Sequence, residues 1–390
     1  MAVSARPDVT LDDYRAQFQL PDDAVYLDHA ATGFLARRTF DAASAFLAGR
    51  AGRVPGRPPN DFPADLKVID RARQRAAALV GAEPAHVCVI PNTSAGLNLV
   101  AEGLDWQPGD RVAVPGCEFP ANLLPWLGLE DRGVAVDRIP HRDGAFSVAD
   151  VEAALRPETR VVALSAVQFL SGFRCDLEGV GALCRERGVW FVVDGIQAVG
   201  AVRVDVAALG IDLLAVGAHK WLGAMQGGGF AAVAPRLMER LRPVRGWLNG
   251  PVDWDDFAAV SLALHDDATR FHTGTMPTAA LYALDAALGL VLDVGPDVVE
   301  QAVLSNARRL ADGLDALGVE RVGAEGPPEA GIVTVRAEDP AGLHAHLASR
   351  GVTCSMRSRL VRFAPHAHTS PEAIDAALDG VASFQSAAVS

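Results

Sequence analysis

The stretch that decides the fold begins Phe191-Val192-Val193-Asp194-Gly195-Ile196-Gln197-Ala198 and continues through Leu213-Leu214-Ala215-Val216-Gly217-Ala218-His219-Lys220-Trp221 to Gly227-Gly228-Gly229. Each apolar run reads as a short buried strand, and each is followed at once by chemistry: Asp194 after the first, His219-Lys220 after the second. The 26 residues from Asp194 to Lys220 leave room for one helix–strand unit. Taken singly, both residues have ordinary readings. Asp194 suits a helix N-cap with Gly195 in the turn, and Lys220 suits a surface lysine whose stem lies along apolar neighbours.

Outward from this stretch the same alternation recurs. Short strands are expected at 25–27, 87–90, 111–115, 134–139, 161–167, 190–193 and 213–216. Helices are expected at 65–80 (capped by Gly81), from 92 through 101, and at 121–129, 148–155 and 177–187. Strands interleaved with helices predict an α/β fold, a mainly parallel sheet covered on both faces. Ligands bind such sheets beyond the carboxyl ends of the strands. Past Arg270 the pattern changes to helices at 278–294, 301–317, 340–350 and 371–384, strands at 331–336 and 361–363, and a loop at 323–328. The expected organisation is a large domain over 21–268 and a smaller α+β domain over 269–390 that includes residues 1–20.

Half of the 390 residues are hydrophobic and 21% are charged, so a large core is expected and disorder of the whole chain is excluded. The net charge of −13 argues against a nucleic-acid partner. No window holds ~18 uninterrupted apolar residues, so no membrane helix is expected, and residues 1–20 lack an apolar signal core. Five scattered cysteines without CxxC spacing suit reduced thiols in the cytoplasm, with no disulfide framework and no metal site.

Of the 35 basic residues only Lys67 and Lys220 are lysine. Arginine stays charged in proteins, whereas lysine can become a neutral amine. A lysine amine for a Schiff base and a carboxylate to keep a pyridine nitrogen protonated are what pyridoxal 5′-phosphate (PLP) chemistry requires. A dinucleotide site is not indicated, since no GxGxxG follows the first strand.

The run from Asp194 to Gly229, with Tyr26-Leu27-Asp28-His29-Ala30-Ala31 upstream, resembles the fold-type I PLP enzymes of the class V aminotransferase family. That family includes cysteine desulfurases, selenocysteine lyases and isopenicillin-epimerase-like enzymes. The resemblance implies a seven-stranded-type sheet and a role for each matching residue. Lys220 would carry the Schiff base, His219 contact the phosphate, Asp194 pair with the pyridine nitrogen and Gln197 bond the ring O3′. Thr93 and Ser94, in Pro91-Asn92-Thr93-Ser94-Ala95-Gly96, would bind phosphate at a helix start; alone they read as an N-cap. Phe119, in Glu118-Phe119-Pro120-Ala121-Asn122, would stack on the ring; alone it reads as core. Thr275, in Arg270-Phe271-His272-Thr273-Gly274-Thr275, would reach the phosphate of a partner subunit, which makes a homodimer the expectation. Arg362, in Leu360-Val361-Arg362-Phe363, would clamp the substrate α-carboxylate through its fork of donors.

Three departures stand out. Gly217 replaces a phosphate-site serine, Phe169 occupies the place of an asparagine near the ring with Gln168 beside it, and only seven residues separate Cys354 from Arg362, so the loop that carries the desulfurase thiol is shortened. Cys354 reads more simply as a small buried hydrophobe. The expected function is a lyase-type reaction at a carbon–sulfur bond of a small amino acid. Transamination or epimerisation is the alternative, and a PLP-fold binding protein without turnover is the alternative of another class.

Overall fold

The computed structural model describes residues 9–21, 24–54, 61–323, 326 and 328–389. Residues 1–8, part of the expected small domain, and positions 324, 325 and 327 of the expected loop lie outside the described residues. In chain order the strands are β1 (Val25–Tyr26), β2 (Val87–Ile90), β3 (Arg111–Pro115), β4 (Ala135–Ile139), β5 (Thr159–Ser165), β6 (Trp190–Asp194), β7 (Leu213–Gly217), β8 (Gly229–Val233), β9 (Glu320–Val322), β10 (Val333–Arg336), β11 (Val352–Thr353), β12 (Ser355–Arg357) and β13 (Leu360–Phe363).

Seven strands form the large sheet in the order β2-β8-β7-β6-β5-β3-β4. β8 runs antiparallel to both of its neighbours, and the other pairings are parallel. Strand alternation assigns each face its own core. Phe191, Val193, Leu214, Val216, Phe230 and Ala232 belong to one apolar cluster, and Val192, Leu213, Ala215, Ala231 and Val233 to the other. A sheet buried on both faces reads in sequence as continuous apolar runs, as at 191–193 and 213–216. Parallel strands deliver their carboxyl ends to one edge, where Ser165 stands beside Asp194, Asp194 beside Ala215, and Gly217 ends β7 two residues further on.

A four-stranded antiparallel sheet, β12-β13-β10-β9, forms a second unit with its own core of Leu310, Leu314, Val335, Leu347, Phe363 and Ile374. Leu27 belongs to that core, and β1 pairs in parallel with β11. The helix Thr278–Val294 lies with the large-sheet cluster, and the cores part within the next helix, Pro296–Ala316: Val303 is on one side and Ala307 on the other. The apolar clusters thus divide downstream of the expected boundary at 268/269, and residues 25–28 side with the small unit. We propose a domain division inside that helix.

Local chemistry explains where the other elements fall. The expected helix 65–80 begins at Phe62, because Asp61 caps it by accepting the Ala64 N–H, and it ends at Gly81 with φ +66°. The expected helix 121–129 resolves into a turn at Pro120–Asn122 and one short helix, Leu124–Leu127, with Pro125 in its first turn. β8 went unrecognised: Gly229-Phe230-Ala231-Ala232-Val233 is short, and its glycines read as a loop. No single helix among the described residues is long and apolar enough to cross a membrane.

Candidate active site

Asp194 is the last residue of β6 and is 2% exposed. Its Oδ1 accepts the Ile196 N–H (2.9 Å). Burial raises the carboxyl to about 7, the charge of Glu118 adds to the rise, and Lys220 opposes it. Lys220 lies three residues past β7. Burial lowers its ammonium to about 8, against the attraction of Asp194. Its Nζ sits 5.7 Å from the centroid of the Phe119 ring. Phe119 is 44% exposed, so it faces open space and is not a core residue. The Phe169 ring meets it edge-to-face, centroids 5.2 Å apart.

The backbone at Lys220 is held from several sides. Gly33 N–H donates to His219 O (2.8 Å). A Cβ on Gly33 would lie 2.0 Å from Lys220 O, so only glycine permits this approach. Gln197 accepts the Trp221 Nε1–H (2.8 Å) and donates to Ala30 O (3.0 Å). One Nε2 hydrogen of Gln197 remains for a ligand.

Thr93 opens the helix Thr93–Ala101, but its cap is Asn92, whose Oδ1 accepts the Ala95 N–H. The N-cap reading of Thr93-Ser94 is therefore corrected. Thr93 is buried and its Oγ1 accepts the Gly217 N–H (2.9 Å). A Cβ on Gly217 would sit 3.0 Å from Thr93 Oγ1 and from Ile196 Cδ1, so a serine there would crowd this bond. Ser94 and His219 are half-buried. Burial, with Lys220 adding to it, lowers the His219 imidazolium pKa, which favours neutral imidazole.

Arg362 is 2% exposed. It donates to Phe169 O through NH1 (2.7 Å) and pairs with Asp28 through NH2 (3.3 Å). Ser355 Oγ lies 2.7 and 2.6 Å from the two Asp28 oxygens. Two buried polar atoms here, Arg362 Nε and Gln168 Oε1, have no hydrogen-bond partner among the described residues.

The structure thus brings Thr93, Phe119, Asp194, Gln197, His219, Lys220 and Arg362 into one neighbourhood beyond the carboxyl ends of β6 and β7. It does not bring Thr275 there: this residue is exposed, and no described hydrogen bond ties it to the Lys220 cluster. Sequence reasoning missed Glu118 and Asp28 as site residues, although both stand inside quoted motifs. Glu118 is 7% exposed, accepts from Ser165 N and Gln168 Nε2 (both 2.7 Å) and from Ser165 Oγ, and is raised by burial. Gln168 thus donates to Glu118 through Nε2, and its Oε1 has no partner among the described residues.

Burial disfavours the thiolate at every cysteine. Cys354 is 6% exposed in the small core, and burial pushes it up to about 12. Cys88, Cys117 and Cys184 are likewise pushed up to about 12, and Cys175 is raised as well. All five are free.

The aminotransferase class-V family model matches residues 25–355, and the chain belongs to that family. It is a PLP-dependent enzyme. An "Uncharacterized aminotransferase YcbU" of Bacillus subtilis is 29% identical over 81% of this chain and 84% of that protein. A "Probable cysteine desulfurase" of Pseudomonas aeruginosa is 30% identical over 76% of this chain and 75% of that one. Among solved structures, a C-DES mutant with glycine linked to its PLP cofactor superposes with TM-score 0.88 at 23% identity, over 95% of this chain and 99% of that one. The fold is therefore that of the fold-type I PLP enzymes.

The residues present fit the cofactor. Asp194 is a buried carboxyl with no ion pair among the described residues, although it feels the charge of Lys220, and a protonated pyridine nitrogen would supply the missing partner. Gln197 keeps a spare donor. The start of helix Thr93–Ala101, beside Gly217 and His219, offers N–H groups to an anion.

Proposed function

We propose that this enzyme cleaves the carbon–sulfur bond of a small amino acid and releases the sulfur to solution, without a protein-bound persulfide. The observation that carries this reading is the state of the five thiols: each is raised, and Cys354, the one nearest Arg362 in sequence, is buried in a core. The thiolate is the attacking species, and these groups hold their protons at neutral pH. Bound PLP acts as an electron sink for the substrate carbanion.

This chain's residues do the rest. Arg362 binds the α-carboxylate, and Phe169 O and Asp28 orient its guanidinium. Lys220, whose amine is largely deprotonated just above pH 8, takes the proton from Cα. The Cα–H electron pair then drives departure of sulfur from Cβ with the Cβ–S pair. Asp194 holds the ring nitrogen protonated, Gln197 donates to the ring O3′, and Phe119 covers the ring face. Thr93, Ser94 and His219 hold the phosphate.

The site belongs to a homodimer in which Thr275 reaches the partner's phosphate. In support, Trp247, Trp254, Phe257, Val260 and Leu262 leave a large apolar surface exposed on one protomer. Reduced thiols fit a cytoplasmic protein.

The deciding experiment incubates holoenzyme with L-cystine, L-cysteine and thioether amino acids, and assays sulfide, thiol, ammonia and keto acid. A lyase gives sulfur product and ammonia together with keto acid. Keto acid formed without sulfur product or ammonia would identify transamination and defeat this reading.

A further inference from the structure

The hairpin β12–β13 carries a feature that the reaction above does not use. Its register pairs Ser355 with Arg362, Met356 with Val361 and Arg357 with Leu360. Residues directly opposite in an antiparallel pair share a face, and so do residues two apart on one strand. Arg357 is therefore on the face of Ser355 and Arg362, the face that meets Asp28. The diagonal from Arg357 to Arg362 spans about 7–8 Å. The opposite face carries Met356 and Val361.

The tip of the hairpin is strained. Ser358 and Arg359 have φ +49° and +62°, left-handed conformations that two-residue loops of this kind normally give to Asn or Gly. Strain of this sort persists where its surroundings impose it, and it clusters at functional sites. Here the short tip ends β12 at Arg357 and fixes that residue beside the site.

Arg357 is exposed, and no carboxylate pairs with it among the described residues. Its described bond is to its own neighbour, Met356 O (2.9 Å). Its charge is felt inside the site, where it opposes protonation of both Lys220 and Arg362. In a chain of net charge −13, the hairpin thus presents a spare cation on the same face as Arg362, the proposed carboxylate clamp.

We propose that Arg357 is a specificity residue that selects amino acids bearing a second anionic group, a carboxylate at the far end of the sulfur substituent. The inference rests on the Lys220–Arg362 cluster being the amino-acid site. Arg362 takes the α-carboxylate, the sulfur lies between, and the distal carboxylate meets Arg357.

Two isosteric probes test it: S-(carboxymethyl)-L-cysteine and its amide, S-(carbamoylmethyl)-L-cysteine. Dissociation constants are read from the visible spectrum of the holoenzyme, so binding is scored apart from turnover. The acid binds about fivefold tighter than the amide, the scale of a solvent-exposed ion pair. R357Q brings the ratio to about one by weakening the acid alone, and R359Q leaves it unchanged. A wild-type ratio below twofold, a ratio that survives R357Q, or equal loss in R359Q overturns the proposal, the last because it shows a diffuse field. If both probes bind with the expected ratio but release no sulfur product, the lyase reading falls and the role of Arg357 stands.

Discussion

Removing the Asp28 carboxylate tests the carboxylate clamp without any knowledge of the substrate. Arg362 is nearly inaccessible, and Asp28 is its one described carboxylate partner, at 3.3 Å. Breaking a buried pair costs ~3–5 kcal/mol, because the surviving charge is left uncompensated. The low end applies here, since Phe169 O and Ser355 stay in reach of the guanidinium. At ~2.1 cal/mol/K per residue, this chain unfolds with an entropy of about 0.8 kcal/mol/K, so ~3 kcal/mol lowers Tm by about 4 °C. In Asp28→Ala, formate raises Tm back toward wild type, and chloride at equal ionic strength does not. The double variant Asp28→Ala/Arg362→Met regains part of the loss, because no charge is stranded. Differential scanning fluorimetry of wild type, Asp28→Ala, Arg362→Met and the double variant gives the coupling directly. Additive Tm losses, or an equal response to formate in wild type and Asp28→Ala, would refute the view that Arg362 is a buried anion receptor held by Asp28.

Borohydride reduction of the holoenzyme labels Lys220 in peptide maps; a label on Lys67 would sink the assignment. Capture of the aldehyde cofactor by apoprotein rises with pH through about 8, the Lys220 value, and its midpoint falls in Asp194→Asn because a negative neighbour is lost; an unmoved midpoint speaks against the pair. Burial raises Asp194 in the folded apoprotein to about 7, so the folded state holds this proton more tightly than the unfolded one. That contribution to stability is present below the unfolded value and is lost as pH rises to about 7. Apo Asp194→Asn is therefore more stable than apo wild type at pH 8 by thermal melting, while its turnover as holoenzyme falls by orders of magnitude. Cys354→Ser leaves most activity intact; a persulfide trapped on Cys354 by alkylation and mass spectrometry, with activity lost in the variant, would restore the desulfurase reading.

The strands that position the chemistry were legible because both faces of the large sheet are buried, which writes β6 and β7 as uninterrupted apolar runs. Lys220 was legible because lysine is scarce in this chain. Asp28 and Glu118 were not, since their roles depend on partners far along the chain: Asp28 meets Arg362 and Ser355, and Glu118 meets Ser165 and Gln168. β8 was hidden by Gly229 and its two alanines, which neighbours bury and local propensity does not favour. The helix Thr278–Val294 was read correctly as an element but assigned to the small domain, because sequence periodicity does not say which core an apolar helix joins.

The segment from Val25 to Gly33 joins parts of the chain that lie far apart in sequence. Val25 pairs with Val352, Asp28 is bonded to a serine 327 residues later, and Gly33 closes on the carbonyl before Lys220. During synthesis this segment leaves the ribosome more than three hundred residues ahead of the strands it must join. The large sheet can form beforehand, because none of its strands lies beyond Val233. Arg362 and its partner Asp28 meet only after a loop of more than three hundred residues has closed, the class of contact that slows folding most. A nascent chain can thus present Lys220 and Asp194 before the proposed carboxylate clamp exists, because that clamp joins segments more than three hundred residues apart.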